Sequence, residues 1–458
     1  MSDSRLIPKN LQEPNAIRPP NMEAENTVLL RLPNTEIRSV KIMKDSTISL
    51  GRFGSFYANE LVGQPYGLTY EISGKKLNVL PPSTIREVED TEATNEYIND
   101  GEFVQPLTLL EIQALKRQGV HASDIIKKQI ELHANYALKT EYSKEKYKKR
   151  KEAKYSKYFT TIEPTLYNVC NYWFIKDQNR IRDIRMDTLS QMLNFANIRP
   201  GGRYIAVDDA SGLVVSGILQ RLGGKGRLLT ICDTDSPPAY PVLVNMNFKS
   251  DATKTVLSTL NWATAQPGHN PIIPPSELPP KDIRSERQKS RLNKRKAMNA
   301  ALDATRDELF RGGFDALIVS SEYEPYSIIE ALFPFLAGSA SIVIQCPYVQ
   351  VLAELQNKLR SLPQYLFPNV TETWLRQYQV LPGRTHPMMS MSGSGGAVLH
   401  AIKVFDDPKA SSAMVQRHKP KKLNSESTPD IDLTGSSLPR MANQIECTVM
   451  LDGLEDSD

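Results

Sequence analysis

The sequence predicts two unlike modules in one chain, a small all-β barrel followed by a doubly wound α/β domain. Three observations predict this. Short strand-like runs separated by turn residues fill residues 27–72, apolar strands alternate with helices after Tyr167, and a basic, tyrosine-bearing helical stretch lies between them. A length of 458 residues leaves room for more than one core at ~150 residues per domain.

Residues 1–24 contain Pro8, Pro14, Pro19 and Pro20 and few large apolar groups, and read as a disordered arm. The barrel is expected over 25–82. Its strands are Thr27–Leu32, Arg38–Ile42, Ser46–Leu50, Gly54–Tyr57 and Leu68–Ile72, and Pro81-Pro82 closes it. Residues 83–165 read as a linker and a basic helical segment. Within it Thr108 and Glu111 have the spacing of a capping box, a second helix is expected from Ser123, and a charged helix follows. The α/β domain is expected over 166–405. Its signals are strands at Tyr204–Val207, Arg227–Cys232, Phe314–Val319 and Ser341–Ile344, helices at Leu213–Leu222, Ile328–Phe335 and Val349–Leu359, and a final pair near Thr373–Val380 and Ala397–Val404. The order should be parallel, with an antiparallel strand at the last edge. Pro-rich and then basic sequence at about 236–296 reads as an insertion, and the Ser/Pro/Lys-rich and then acidic residues 406–458 as a disordered tail.

Composition excludes several classes. No apolar run reaches the ~18 residues that span a bilayer, so no membrane partner is expected. The first residues have neither the basic nor the apolar region of a secretory signal. The four cysteines form no CxxC pair and the six histidines no HExxH, so neither a disulfide framework nor a metal site is expected. A net charge of +4 decides little until its distribution is known.

An α/β domain of this kind binds cofactors at the turn after its first strand, where glycines let the ligand approach and a helix N-terminus attracts its anionic group. Here that turn is Val207-Asp208-Asp209-Ala210-Ser211-Gly212, with one glycine and two adjacent carboxylates. A ligand carboxylate ~4 Å from either would be repelled by about 4 kcal/mol at an effective dielectric near twenty. Gly223-Gly224-Lys225-Gly226 lacks the phosphate-loop spacing and reads as a helix stop. Asp233 and Asp235 follow the second strand, where an acid can bind a ribose, but beside a first turn that lacks its glycines the plain-loop reading is the favoured one. Ser320-Ser321-Glu322 ends a strand where a catalytic group would stand, but no GxSxG elbow surrounds it.

Charge concentrates in two runs. Lys139–Lys157 has nine basic residues against three acidic ones, with Tyr142, Tyr147, Tyr155 and Tyr158 interleaved or following. Cations that neutralise phosphates and rings that stack on unpaired bases together suit RNA. The alternative is a solvated basic helix with its tyrosines packed inward. Lys281–Lys296 has eight basic residues against two, and its Lys294-Arg295-Lys296 also fits part of a nuclear import signal. Thr373–Pro387 mixes cations with aromatics. It fits a phosphate site, a subunit contact, or a core Trp and Leu with solvated arginines.

Gly51-Arg52-Phe53-Gly54-Ser55-Phe56, Leu61–Ile72, Asn99-Asp100-Gly101, the Lys/Tyr segment, Thr373–Pro387 and Gly393-Ser394-Gly395-Gly396 together resemble the non-catalytic subunit of the eukaryotic tRNA (adenine-N1)-methyltransferase. The resemblance covers about residues 25–405. It implies a C-terminal Rossmann-like methyltransferase fold lacking the cofactor site, and pairing with a catalytic subunit of the same ancestral fold in a heterotetramer of two heterodimers. It implies tRNA as the ligand, 1-methyladenosine in the T-loop as the product, and the nucleus as the location. Laid against the catalytic paralogue, that subunit's acid falls at Ala206, its glycines at Asp208, Ala210 and Gly212, and its catalytic Asp at Ser320. No catalytic, cofactor or metal residue is therefore expected here, and S-adenosylmethionine belongs on the partner. The expected tRNA-binding set is Asn99, Asp100, Gly101, Lys144, Lys146, Tyr147, Lys148, Lys149, Arg150, Lys151, Lys154, Tyr155, Arg182, Arg185, Arg376, Tyr378, Arg384 and His386. The competing reading is an active S-adenosylmethionine-dependent RNA methyltransferase that uses Asp208, Asp233 or Asp235 in a non-standard site.

Overall fold

A computed structural model describes residues 18–81, 107–118, 120, 122–133, 136, 139–235, 238–269, 285–381 and 384–405. The N-terminal strands are β1 (Thr27–Arg31), β2 (Ile37–Lys41), β3 (Thr47–Ser49), β4 (Ser55–Tyr57), β5 (Thr69–Ser73) and β6 (Lys76–Leu80). A further strand, β7 (Tyr158–Ile162), lies at the centre of their sheet, whose order is β2-β1-β7-β5-β6. The sheet is antiparallel throughout, and β3 and β4 pair separately as a hairpin. Both pack on one core of Val28, Leu30, Phe53, Phe56, Tyr70 and Phe159, with Phe56 and Phe159 stacked at 4.9 Å. The stretch expected to be linker over 83–165 thus ends in a central strand, because Phe159 completes a core that the earlier strands leave open.

Three helices precede β7: α1 (Leu109–Arg117), α2 (Ala122–Glu131) and α3 (Glu141–Tyr155). The capping box forms as the sequence predicts. Thr108 N–H donates to Glu111 Oε2 at 2.8 Å and Glu111 N–H to Thr108 Oγ1 at 3.3 Å. Ile112, Ile125, Ile126 and Tyr155 make a small separate core.

The second module contains α4 (Leu166–Lys176), α5 (Met186–Phe195), β8 (Arg203–Asp208), α6 (Leu213–Leu222), β9 (Arg227–Cys232), α7 (Pro241–Asn245), α8 (Ser250–Lys254), β10 (Leu257–Asn261) and α9 (Glu286–Arg311). It continues through β11 (Phe314–Ser320), α10 (Pro325–Leu332), β12 (Leu336–Cys346), α11 (Val349–Arg360), β13 (Tyr365–Trp374), β14 (Tyr378–Leu381), β15 (Arg384–Pro387) and β16 (Ser394–Lys403). Its main sheet has the order β10-β9-β8-β11-β12-β16-β13. Counted within the module this is 3-2-1-4-5-7-6, a Rossmann-like methyltransferase fold. Apolar clusters cover both faces of the sheet. The order reverses between β8 and β11, which opens a crevice at their carboxyl ends.

Several expectations need correcting. The antiparallel strand is β16, which lies inside the sheet between β12 and β13, not at its edge. The supposed insertion at 236–296 contains α7, α8 and the sheet's own β10, and α9 begins ten residues or so before Ala297. The arm is not wholly free. Met22 is fully buried, and Arg18 donates to the Pro164 carbonyl at 2.6 Å and to Gln220 at 3.2 Å. Asn247 bonds both backbone groups of Thr27 at 2.8 Å, tying the N-terminal sheet to the second module. The expected tail, 406–458, lies outside the described residues.

Candidate functional site

The crevice is built from the ends of β8, β9 and β11. Asp208 is buried beneath the start of α6. Its Oδ1 accepts from the backbone amides of Ala210 (2.8 Å) and Gly212 (3.3 Å), and its Oδ2 from that of Val215 (2.8 Å). Burial pushes this carboxyl up to about 6, although the three amides and their charge-assisted bonds oppose the rise. Asp209 turns away. Its Oδ2 accepts from Ser321 Oγ at 2.6 Å and from the Glu322 amide at 3.1 Å. The two aspartates therefore diverge. It is occupation of the helix amides by Asp208, more than repulsion by a facing pair, that sets the chemistry of this turn.

Gly212 has φ 85°, in the left-handed region that glycine tolerates, and a Cβ there would stand 2.6 Å from the Cβ of Tyr240. The buried ring of Tyr240 thus lies against the turn. Burial, with the Asp208 carboxylate next, raises its phenol well above the ordinary range. Ser320 is fully buried and donates to Gln345 Oε1 at 2.7 Å, while Gln345 Nε2 donates to the Arg182 carbonyl at 2.9 Å. Among the described residues no base is hydrogen-bonded to that hydroxyl. Asp233 accepts from Tyr323 Oη at 3.2 Å. Beside it Trp262, Tyr323, Ser327, Ile328 and Ala331 line a cavity of about 250 Å³. Sequence reasoning missed Tyr240, Tyr323 and Gln345. Only Tyr240 had a local signal, the proline that opens α7 after it.

Helix α3 carries its cations at exposed and half-buried positions and turns two of its rings inward. Lys146, Lys149, Arg150 and Lys154 are exposed, and Lys144, Lys148 and Lys151 are half-buried. Lys149 also lies 3.8 Å from Glu145. Tyr155 is 5% exposed and its Oη accepts from Gln129 at 3.3 Å. Tyr147 meets His133 and Tyr136 edge-on at 5.0 and 5.9 Å, with Lys151 above its face. Both rings face inward, so the stacking role expected of them is withdrawn.

Arg185 is also removed from the phosphate-binding set. Its buried guanidinium donates twice to Asp187 at 2.8 Å and again to the Gly393 and Thr373 carbonyls, clamping α5 to the ends of β13 and β16. The Arg182 side chain is 12% exposed and faces Glu322 at 3.7 Å. Arg376 donates to the Met388 carbonyl at 2.9 Å and lies over Trp374. Tyr378 and His386 are exposed on the β14–β15 hairpin, where His386 Nδ1 is 2.6 Å from the Pro387 carbonyl. Arg384 lies on β15. Trp374 is 70% exposed and Val380 73%, which overturns the reading of this stretch as core. Asn99, Asp100 and Gly101 lie outside the described residues. Among the described residues no His/Cys/Asp/Glu cluster could hold a metal, and no helix is long and apolar enough to cross a membrane.

The Gcd10p family model matches residues 21–299, more than half of the chain. The chain belongs to the Gcd10p family. A Schizosaccharomyces pombe relative is 30% identical over 83% of this chain and 91% of its own length, and one from Debaryomyces hansenii 27% over 86% and 90%. A Mus musculus relative is 28% identical over 77% of this chain and 82% of its own. All three are named non-catalytic subunits of tRNA (adenine(58)-N(1))-methyltransferase. Among solved structures, an Aquifex aeolicus tRNA (m1A58) methyltransferase aligns over 84% of this chain and all of its own (12% identity, TM-score 0.43). A Thermotoga maritima SAM-dependent O-methyltransferase aligns over 85% and 96% (13% identity, TM-score 0.47). In this Gcd10p-family chain the amides at the start of α6 are bonded to Asp208, and exposed cations lie on α3.

Proposed function

We infer that the chain serves as the non-catalytic subunit of a tRNA (adenine-N1)-methyltransferase that forms 1-methyladenosine, working beside a catalytic partner. One observation carries this reading beyond family membership. The amides at the start of α6, which would receive an anionic ligand group, are already held by Asp208. With Tyr240 against Gly212 as well, S-adenosylmethionine does not fit these residues. Calorimetry tests this. The isolated chain should give no saturable heat with S-adenosylmethionine, and a micromolar isotherm would overturn the reading in favour of an active enzyme with a non-standard site.

In this proposal the exposed cations of α3 hold tRNA phosphates, and the N-terminal sheet and hairpin act as a small barrel that supports them. Replacing Lys146, Lys149, Arg150 and Lys154 with Ala should make the salt dependence of tRNA binding shallower, by roughly 0.7–0.9 per lost contact. An unchanged slope would return α3 to a solvated face. The exposed apolar hairpin, with Trp374, Tyr378 and Val380, offers the partner a surface for heterodimer and then heterotetramer formation. The exposed Lys294-Arg295-Lys296 supports a nuclear location.

A further inference from the structure

We propose that the first half of α9 is a second phosphate-binding arm, which grips an RNA backbone above the carboxyl edge of the sheet. This rests on the tRNA-binding reading and extends it to residues outside the expected set. Helix α9 is 26 residues long, yet Leu309, near its last turn, is its only buried residue. The helix leads into β11 and so runs antiparallel to the strands. Its Met298, Asn299 and Leu302 line a groove with Asp235 and Asn261, at the carboxyl ends of β9 and β10. The dozen or so residues before Met298 therefore rise ~18 Å past that edge. Almost all of them are exposed.

The arm is charged in a pattern. At ~100° per residue, Arg287, Arg291, Lys294 and Arg295 fall within a ~100° arc on one face, with Arg287, Arg291 and Arg295 rising ~6 Å apart. Lys289 and Lys296 lie opposite. Arg287 stands in the first turn, where the helix macrodipole disfavours positive charge, and Arg287, Arg291 and Arg295 repel one another at i,i+4 spacing. An anionic polymer laid along the face relieves that cost. A membrane surface would need an apolar face, and this stretch offers only Leu292 and Ala297 before Met298. The crevice floor below carries Asp209, Asp233 and Glu322, which repel phosphate. A backbone crossing this edge must therefore be held from above.

The test uses the chain assembled with its catalytic partner. The quadruple variant Arg287→Gln, Arg291→Gln, Lys294→Gln and Arg295→Gln keeps helix-forming residues on an exposed face, and circular dichroism checks that helicity is unchanged. Fluorescence anisotropy then follows tRNA binding between 50 and 200 mM salt. Four lost contacts should make the log–log slope shallower by about 3, so wild-type affinity falls roughly 50- to 150-fold more than the variant's across that range. The variant Lys289→Gln, Lys296→Gln on the opposite face should change the slope by less than half as much. An unchanged slope in the quadruple variant, with a shallower one in the α3 variant, overturns the arm and leaves the proposed function standing. Unchanged slopes in both overturn both. An arm that instead binds an acidic protein gives the first of these results.

Discussion

Replacing Asp208 with Asn tests the chemistry of the closed turn through pH. The wild-type carboxyl sits at about 6 in the folded chain against an ordinary 3.8. A raised carboxyl contributes stability that is fully present below the unfolded value and is lost as pH rises through the folded one. The whole difference is worth about 3 kcal/mol, and linkage puts about 1 kcal/mol of it between pH 7 and pH 5. Asn keeps acceptors for Ala210 and Gly212 but turns an NH₂ toward the Val215 amide, a fixed penalty of ~1–3 kcal/mol that does not change with pH in this range. The informative quantity is therefore a difference of differences. Urea unfolding of the α/β module, followed by fluorescence of the buried Trp173, should show wild type gaining about 1 kcal/mol more than Asp208→Asn on going from pH 7 to pH 5. Identical pH dependence in the two proteins would refute the argument, since it would mean that Asp208 titrates like a solvated carboxylate. Asp208→Ala strands three amides at once and should cost ~3 kcal/mol even after relief of the buried charge.

Three further outcomes follow from the geometry. Gly212→Ala should destabilise the module by ~3 kcal/mol, from a left-handed φ together with a clash against Tyr240, measured by the same unfolding signal. Arg185→Met should cost ~3–5 kcal/mol in denaturation, because Asp187 loses the fork that offsets its burial. Tyr155→Phe should cost only ~1 kcal/mol by loss of the Gln129 bond and leave tRNA affinity unchanged; a tRNA defect comparable to that of the α3 lysine variant would return this ring to the binding surface.

The legible parts of the sequence were those whose signals are local. Helix α6 occupies the residues its periodicity marked, and Thr108 and Glu111 close on each other because three residues along a helix bring them together. Strand β7 was not legible. It borders a charged helix, and its partners β1 and β5 lie well over eighty residues upstream, so only the finished sheet explains it. Edge strand β10, Leu257-Ser258-Thr259-Leu260-Asn261, is half polar and sits between a Pro-rich stretch and a basic run, which disguised it as insertion. For the candidate site, residue type predicted charge but not direction. Tyr147, Tyr155 and Arg185 all have groups that suit RNA, yet each is engaged within the fold.

The same rule extends across the crevice. Helix α10, which follows β11, begins after Glu324, whose two carboxylate oxygens accept from the Tyr326 amide at 3.0 Å and the Ser327 amide at 2.6 Å. Helix α6 is held in the same way by Asp208. On both sides of the switch point, then, the helix amides that could receive a diffusible anion are bonded to acids of the chain itself. An internal carboxylate is present at full occupancy and costs no association entropy, and at α6 a ligand would also have to displace Asp208 and leave its buried charge unpaired. In the proposed reading, anion attraction falls instead to the exposed cations of α3 and of the α9 arm.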